Sequence, residues 1–328
     1  MSDAPPEILL QRLQALLPDT KALAGPPPRL ACRANPLRGG VEAARAALQA
    51  EGLEPQSVDW LPGAFTLPSA QREALSHSKA VAEGAIYIQN LSSMLPPWLL
   101  DPQPGEEVLD LAAAPGSKTT QMAGLMQNRG RIAAVEAVRP RFFRLRANLA
   151  AQGVEMVQTY LADGSHIWRK TPERFDRVLL DAPCSSEGRI RLDQPASYAH
   201  WSPAKIRDMA RKQGRLLFSA VQCLKPGGRL LYSTCSFAPE ENEAVLDRLL
   251  RTFGDALEVL PVELPFANWR PGLAEWQGRA FAPALAGARR ILPAGAMEGF
   301  FLCLLEKRRS TLEPKSDRGR RPHRRRRR

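Results

Sequence analysis

The sequence predicts an α/β protein: an open, mostly parallel sheet with helices on both faces, preceded by a smaller α/β unit. Short apolar runs at 108–111, 132–135, 154–161, 178–180 and 230–232 recur with helical stretches between them, the alternation that a parallel sheet requires. The first of these runs passes straight into Ala112-Ala113-Ala114-Pro115-Gly116-Ser117-Lys118, a turn of small residues opening a helix, as at the ligand-binding strand ends of open α/β sheets. A length of 328 residues with 44% apolar content is enough for one large or two ordinary domains.

Residues 6–17 carry Ile8, Leu9, Leu13, Leu16 and Leu17 close to helical spacing, and Pro26-Pro27-Pro28 breaks the chain after them. Residues 29–35 read as a strand, 41–51 as an Ala-rich helix stopped by Gly52, and 58–67 as one or two short strands. Together they make a small α/β unit over 1–84. A strand at 85–89 and a helix at 91–100 follow, and the helix is expected to be interrupted at Pro96-Pro97, where two backbone donors are missing. A second domain then runs over 85–306. Within it, Ser202 can cap a helix whose first turn holds Pro203 and whose apolar stripe is Ile206, Met209, Ala210, Leu217, Ala220 and Val221. Lys225-Pro226-Gly227-Gly228 stops that helix, and the apolar run 300–305 suits a late buried strand.

Charge is concentrated at the C-terminus. The net charge is +12, and the stretch 307–328 holds twelve Lys/Arg against Glu313 and Asp317, which leaves 34 cations against 32 acids, or +2, for the remainder. A disordered polycationic tail is therefore expected, able to neutralise phosphates without reading sequence. No apolar run approaches the roughly 18 residues of a membrane span, and no basic segment leads into an apolar one near Asp3 and Glu7, so a cytoplasmic protein is expected, with no membrane partner. The five cysteines contain no C-x-x-C and lie at no metal-ligand spacing from His77, His166, His200 or His323; neither a disulfide framework nor a metal site is expected.

The turn at 112–118 is neither a G-x-G-x-x-G nor a phosphate-binding G-x-x-x-x-G-K-[ST], which argues against hydride transfer and NTP hydrolysis. Glu136, at the end of the next strand, can accept both hydrogen bonds of a ribose diol, and Asp163, after the strand beyond it, can meet an adenine amino group. The fourth strand ends in Asp181-Ala182-Pro183-Cys184 and the fifth in Ser233-Thr234-Cys235-Ser236, so two thiols and a carboxylate converge on one crevice. For each cysteine alone a buried inert thiol is the commoner explanation, and their joint location changes the balance. Carbon 5 of cytosine is a poor nucleophile. A thiolate added to carbon 6 turns the ring into an enamine that can take a methyl group from a sulfonium, provided that a carboxyl group manages the charge at ring nitrogen 3. Asp181 is the candidate for that carboxyl.

With these residues in view, the chain resembles the Nol1/Nop2/Sun family of S-adenosylmethionine-dependent RNA cytosine-5 methyltransferases, especially its bacterial ribosomal-RNA members, over about residues 33–301. The segments that carry the resemblance are Arg33-x-Asn35, QNLSSMLP at 89–96, LAAAPGSKT at 111–119, DAPCSSEG at 181–188, STCS at 233–236, PEENE at 239–243 and Gly299-Phe300-Phe301. The resemblance implies a Rossmann-like class I methyltransferase fold with a mostly parallel seven-stranded sheet, and S-adenosyl-L-methionine as cofactor. It implies that Cys235 is the nucleophile, that Cys184 assists adduct breakdown and RNA release, and that Asp181 activates the cytosine. DNA cytosine-5 methyltransferases attack instead with the Pro-Cys cysteine. Cofactor contacts are implied for Ala112, Ala113, Ala114, Pro115, Gly116, Ser117, Lys118, Glu136, Arg141, Asp163 and Asp181. Ser117 stands where the family usually has Gly and Ser186 where Gly is frequent, and both replacements are small enough to be tolerated.

The expected partner is RNA: ribosomal RNA first, transfer RNA as the alternative, with a non-catalytic RNA-binding assembly factor as a reading of another class. A monomer is expected. The target base must be unpaired or flipped to expose its reacting carbons. Arg189 and Arg191 are candidates for backbone contacts, and the small N-terminal unit for orienting RNA, although it has no aromatic RNP-type signature. No room is expected for the NusB-like or the extra C-terminal domain of some relatives.

Overall fold

Each β-strand buried on both faces reads as a continuous apolar run, and the runs found in the sequence are strands of one sheet. The computed structural model of the chain describes residues 5–25 and 29–312. The Pro26-Pro27-Pro28 break and the Arg-rich stretch 313–328 lie outside the described residues.

The chain starts with α1 (Glu7–Leu16). A four-stranded antiparallel sheet follows, formed by β1 (Arg29–Ala34), β2 (Gln56–Ser57), β3 (Ala64–Pro68) and β4 (Ile86–Ile88) in the order β2-β3-β1-β4. Between these strands run α2 (Gly40–Ala50) and the short α3 (Arg72–His77) and α4 (Lys79–Ala82). Ala44 and Leu48 of α2 bury against Leu30, Cys32, Phe65 and Leu67. The first helix, which the sequence groups with this unit, packs elsewhere. Its Leu9 and Leu13 enter a cluster with Ile190, Tyr198 and Phe237 of the second domain.

That domain contains α5 (Leu91–Leu100), β5 (Glu107–Asp110), α6 (Ser117–Leu125), β6 (Arg131–Glu136), α7 (Arg139–Ala151), β7 (Val157–Leu161), β8 (Phe175–Asp181), α8 (Pro203–Cys223), β9 (Leu224–Thr234), α9 (Glu243–Phe253) and β10 (Leu257–Leu260). It finishes with β11 (Trp269–Pro271), the small hairpin β12 (Glu275–Trp276) and β13 (Arg279–Ala280), β14 (Arg289–Ile291) and β15 (Phe300–Lys307). Strands β7-β6-β5-β8-β9 are parallel, and β15 joins β9 antiparallel. Along these strands residues alternate between two layers. Leu109, Val178, Leu180, Leu230 and Tyr232 face the α8 and α9 side, and Val108, Leu179 and Leu231 face α5 and α6.

The strand at 86–88, which the sequence reading puts at the start of the second domain, pairs with β1 and belongs to the small sheet. Three further details of the second domain differ from the sequence reading. The sheet has nine strands rather than seven, because β10 and β14 share the far edge of the eight-residue β15 and β11 extends β14. These edge strands are short and carry Arg289, Arg290 and Glu258 where an apolar signal would be sought. Secondly, α5 continues through Pro96 and Pro97. The carbonyl of Ser93, which Pro97 cannot serve, accepts a 2.9 Å hydrogen bond from Gln89 Nε2 instead. Thirdly, Lys307 belongs to β15 and not to a tail: its buried ammonium donates to the carbonyls of Val221 and Leu224 and pairs with Glu173 at 2.8 Å.

The Arg33-x-Asn35 segment joins the two units. Buried Arg33 donates to Gln89 Oε1 at 2.8 Å, Thr120 Oγ1 at 2.6 Å and the Ser117 carbonyl at 3.1 Å, and lies over the Tyr87 ring. Asn35 Nδ2 donates to the carbonyls of Gly84 and Gln152, both at 2.9 Å. Among the described residues no helix is long and apolar enough to cross a membrane.

Candidate active site

Parallel strands bring their C-terminal ends to one edge, and here that edge carries Asp110, Glu136, Asp181 and the turn after Thr234. On its β5–β6 side the crevice is built from local backbone. Gly116, at φ +106°, turns the chain into α6; a side chain there would also press on Leu145. The methyls of Ala113 and Ala114 pack inward with Leu145 and Leu149, so this stretch offers its backbone and not its side chains. The Ala114–Pro115 peptide bond is cis, and Pro115 is exposed. Arg141 Nη2 donates to the Ala114 carbonyl at 2.7 Å, and its Nη1 lies 3.7 Å from Glu136 Oε2. The other Glu136 oxygen accepts from the Val138 amide at 2.8 Å, leaving a buried strand-end carboxylate with acceptor capacity to spare. Asp163 accepts both the amide and the hydroxyl of Ser165 on Oδ1, at 2.9 and 2.8 Å. The backbone bond from Ser165 holds its carboxyl below the usual range.

Asp110 belongs to the base of the crevice. Burial pushes its carboxyl up to about 7, against the opposing 2.7 Å hydrogen bond from Thr119 Oγ1.

The β8–β9 side holds the thiols. Asp181 is paired in register with Ser233, so the turns that follow the two strands bring Cys184 Sγ and Cys235 Sγ within 3.3 Å. Both cysteines are free. Their surroundings are unequal. The Cys184 thiol, donating toward Cys235, pulls the Cys235 pKa down; Ser186 and the positive charge of Arg189 act in the same direction. Cys184 is pushed up by holding that proton, by burial and by the nearby Glu241. Ser186 Oγ lies 3.5 Å from Cys235 Sγ and 4.0 Å from Cys184 Sγ. Ser186 adopts φ +64°, the left-handed conformation that favours glycine.

Asp181 accepts from Ser233 Oγ at 2.8 Å and pairs with Lys118 Nζ at 2.6 Å. Lys118 also donates to Ser93 Oγ at 2.8 Å and lies over the Phe300 ring. Sequence reading grouped Lys118 with the cofactor turn; its ion pair ties it to the carboxylate of the thiol side. Ser93, Ser186 and Ser233 were not singled out for chemistry, although each lies inside a motif that was.

The PEENE segment is the framework of this side. Glu241, fully buried, accepts from the Ser185 amide at 2.9 Å and from its hydroxyl at 2.5 Å, and burial pushes it up to about 7. Asn242 accepts from Thr234 Oγ1 at 2.6 Å and donates to the Ser236 carbonyl at 2.9 Å, fixing both sides of Cys235. Glu243 makes a buried two-point pair with Arg290, at 2.7 and 2.6 Å, and Arg290 also donates to the Phe237 carbonyl. Glu240 takes a two-point pair from Arg12 of α1. A Cβ on Gly188 would meet the Gly299 carbonyl oxygen at 2.1 Å, and one on Gly299 would meet the Phe237 ring at 2.1 Å, which explains the glycine in each motif. Arg189 is exposed and 3.6 Å from Glu298, whereas Arg191 is buried and not available for the direct RNA contact expected of it.

Comparison with known proteins agrees with this geometry. Residues 97–306 match the family model for the 16S rRNA methyltransferase RsmB/F. The chain is 40% identical over 282 residues to a tRNA (cytosine(49)-C(5))-methyltransferase of Pyrococcus abyssi, covering 86% of this chain and 89% of that protein. It is 36% identical over 320 residues to the ribosomal RNA small subunit methyltransferase F of Vibrio campbellii, covering 94% of this chain and 65% of that longer protein. A solved methyltransferase homologue from Pyrococcus horikoshii superimposes with a TM-score of 0.75 at 33% identity, over 92% of this chain and 100% of that one. The fold, the strand-end thiol pair and the match over more than half of its length agree: the chain belongs to the RsmB/F methyltransferase family.

Proposed function

We infer that the chain is an S-adenosylmethionine-dependent RNA methyltransferase that modifies carbon 5 of cytosine, with Cys235 as the nucleophile. The observation that carries this reading is the pair of thiols 3.3 Å apart beside the Lys118–Asp181 ion pair. A binding role alone does not call for two reactive sulfurs and a proton-handling pair at adjacent strand ends.

S-adenosylmethionine supplies an electrophilic methyl group on a sulfonium. The donor set fits it: the Glu136 carboxylate suits a ribose diol, Asp163 keeps Oδ2 for an adenine amino group, and the 112–118 backbone can approach the ligand closely. On the thiol side, Cys235 adds to carbon 6 as its thiolate, stabilised by Cys184 and Ser186. Addition builds negative charge toward ring nitrogen 3. Asp181, which accepts from Lys118 Nζ at 2.6 Å, can pass a proton from that ammonium to the ring and return it. Carbon 5 would then bond to the methyl carbon as that carbon's bond to the sulfonium breaks, and a solvent water would take the proton from carbon 5. As the carbon 6–sulfur bond breaks and the 5,6 double bond re-forms, the Cys184 thiol can again donate to the departing Cys235 thiolate, which lowers the barrier to release.

Small-subunit ribosomal RNA is the first substrate to test, as the family model suggests. Transfer RNA is the second, favoured by the fuller coverage of the archaeal tRNA enzyme. The deciding experiment is a denaturing gel of wild type, Cys184→Ala and Cys235→Ala after incubation with each RNA pool and labelled S-adenosylmethionine. A slow-migrating RNA adduct in Cys184→Ala, absent in Cys235→Ala, is the expected result. An adduct that requires Cys184 would reverse the roles, and neither adduct nor methyl transfer by wild type would favour a binding factor.

A further inference from the structure

Away from the thiols, a groove of about 760 Å³ opens between the turn at 164–169, the exposed face of α8 and the start of α9. Its charge is one-sided. Six arginines line it, Arg169, Arg207, Arg211, Arg215, Arg248 and Arg279, against a single carboxylate, Glu240, which Arg12 already occupies. Arg211 pairs with Asp208 and Arg279 with Asp247, while the other four have no carboxylate within ion-pair distance among the described residues. So many cations facing one concave surface repel each other unless an anion joins them. Arg248 registers this: burial and the neighbouring Arg279 hold its guanidinium below the usual range.

The spacing is regular as well. Arg207, Arg211 and Arg215 are four residues apart on α8, so they stand on one face about 6 Å apart along the axis, a spacing suited to successive phosphates of one strand. Between them Gly214 sits in the interior of a 21-residue helix, where glycine is unfavourable, and a Cβ there would meet nothing within 4 Å. The floor is aromatic: half-buried Trp168 and Phe218 meet edge to face at 5.6 Å, and Arg169 lies over the Trp168 ring.

The groove borders both sides of the crevice. Ser165, on its wall, is the residue that binds Asp163. Gln213, next to Gly214, donates to the Pro183 carbonyl just before Cys184. We propose that this groove binds the phosphodiester backbone of a single-stranded segment of the substrate RNA adjoining the target cytosine. This proposal rests on the RNA methyltransferase reading. Guanidinium groups take the phosphates, and the aromatic floor accepts a base or ribose without reading sequence.

The test is the salt dependence of RNA binding by the full chain carrying Arg207→Gln, Arg211→Gln and Arg215→Gln together, against wild type and the corresponding triple Lys variant. Each lost phosphate contact removes about 0.7 from the slope of log affinity against log salt, so the Gln variant should lose roughly two and bind roughly tenfold or more weakly near 0.1 M salt. The Lys variant should keep most of the slope, and S-adenosylmethionine affinity should be unchanged in both. If the triple Gln variant melts early, the single Arg207→Gln and Arg215→Gln variants should each lose about 0.7. An unchanged slope in the Gln variants, where wild type transfers methyl groups to RNA and Cys184→Ala traps the Cys235 adduct, overturns the groove assignment alone. A wild type that transfers no methyl group, with no adduct in Cys184→Ala, overturns the underlying function instead.

Discussion

The two halves of the crevice are built in opposite ways. On the β5–β6 side, three consecutive strand ends and the turn after β5 make the surface, and each carboxylate finds a partner close in sequence, Val138 on Glu136, Ser165 on Asp163 and Thr119 on Asp110, while Arg33 and Arg141 reach the turn from farther away. On the β8–β9 side, each turn is held by side chains from far along the chain. Glu241 holds Ser185, Arg290 holds Glu243 and Phe237, and Arg12 of the first helix holds Glu240. A ligand surface made of backbone tolerates small shifts. Two sulfurs that must share a proton at 3.3 Å do not, so their turns are restrained from several directions.

This contrast can be broken by experiment. The largest effect belongs to the nucleophile: Cys235→Ala should lower methyl transfer by about 10⁴-fold or more in single-turnover assays while donor binding persists. Next is the framework. Arg290→Ala leaves Glu243 charged and buried without its partner and should cost about 3–5 kcal/mol in denaturant unfolding; a loss below 1 kcal/mol would mean that the thiol side does not depend on this pair. Lys118 tests which half it serves. Lys118→Met should reduce kcat by roughly 10²–10³-fold with donor affinity nearly unchanged, and a large loss of donor affinity instead would return it to the cofactor side. Glu136→Gln should do the reverse, weakening donor binding by about tenfold (about 1.4 kcal/mol) at constant kcat in titration calorimetry.

The smallest effect is at Ser186. Replacing it by glycine relieves a left-handed backbone by about 1 kcal/mol but removes the hydroxyl near Cys235. That hydroxyl helps hold the Cys235 pKa down, so its loss raises the pKa, and the rising limb of the pH–rate profile should move to higher pH as the protein melts slightly later. An unmoved limb would assign Ser186 to loop shape alone. Stability carries a separate pH signature. Asp110 and Glu241 both sit at about 7 in the folded protein, above their unfolded values, so the folded state holds their protons more tightly. Their contribution is full below about pH 4 and is lost as pH rises through about 7, and Glu241→Gln should flatten the fall of Tm over that interval.

What the sequence by itself determined follows from periodicity and from local motifs. The parallel strands, α8 with its Ser202 cap, the turn at 112–118 and the two cysteine blocks were all legible, because a doubly buried strand and a strand–turn–helix leave their pattern within ten residues or so. The match to known segments pointed to Cys184 and Cys235 together, but nothing in their spacing of 51 residues contains the 3.3 Å between them. That distance depends on β8 and β9 being neighbours in register. Tertiary structure likewise decided that α1 covers the second domain, that Lys118 serves Asp181, that the PEENE segment is a framework and that Lys307 is core. Each of these turns on a charged side chain finding a partner dozens or hundreds of residues away. A lone Arg, Lys or Glu in a sequence looks the same whether it meets water or a buried counter-charge, and only the packed chain, where an unpaired buried charge is prohibitively costly, distinguishes the two.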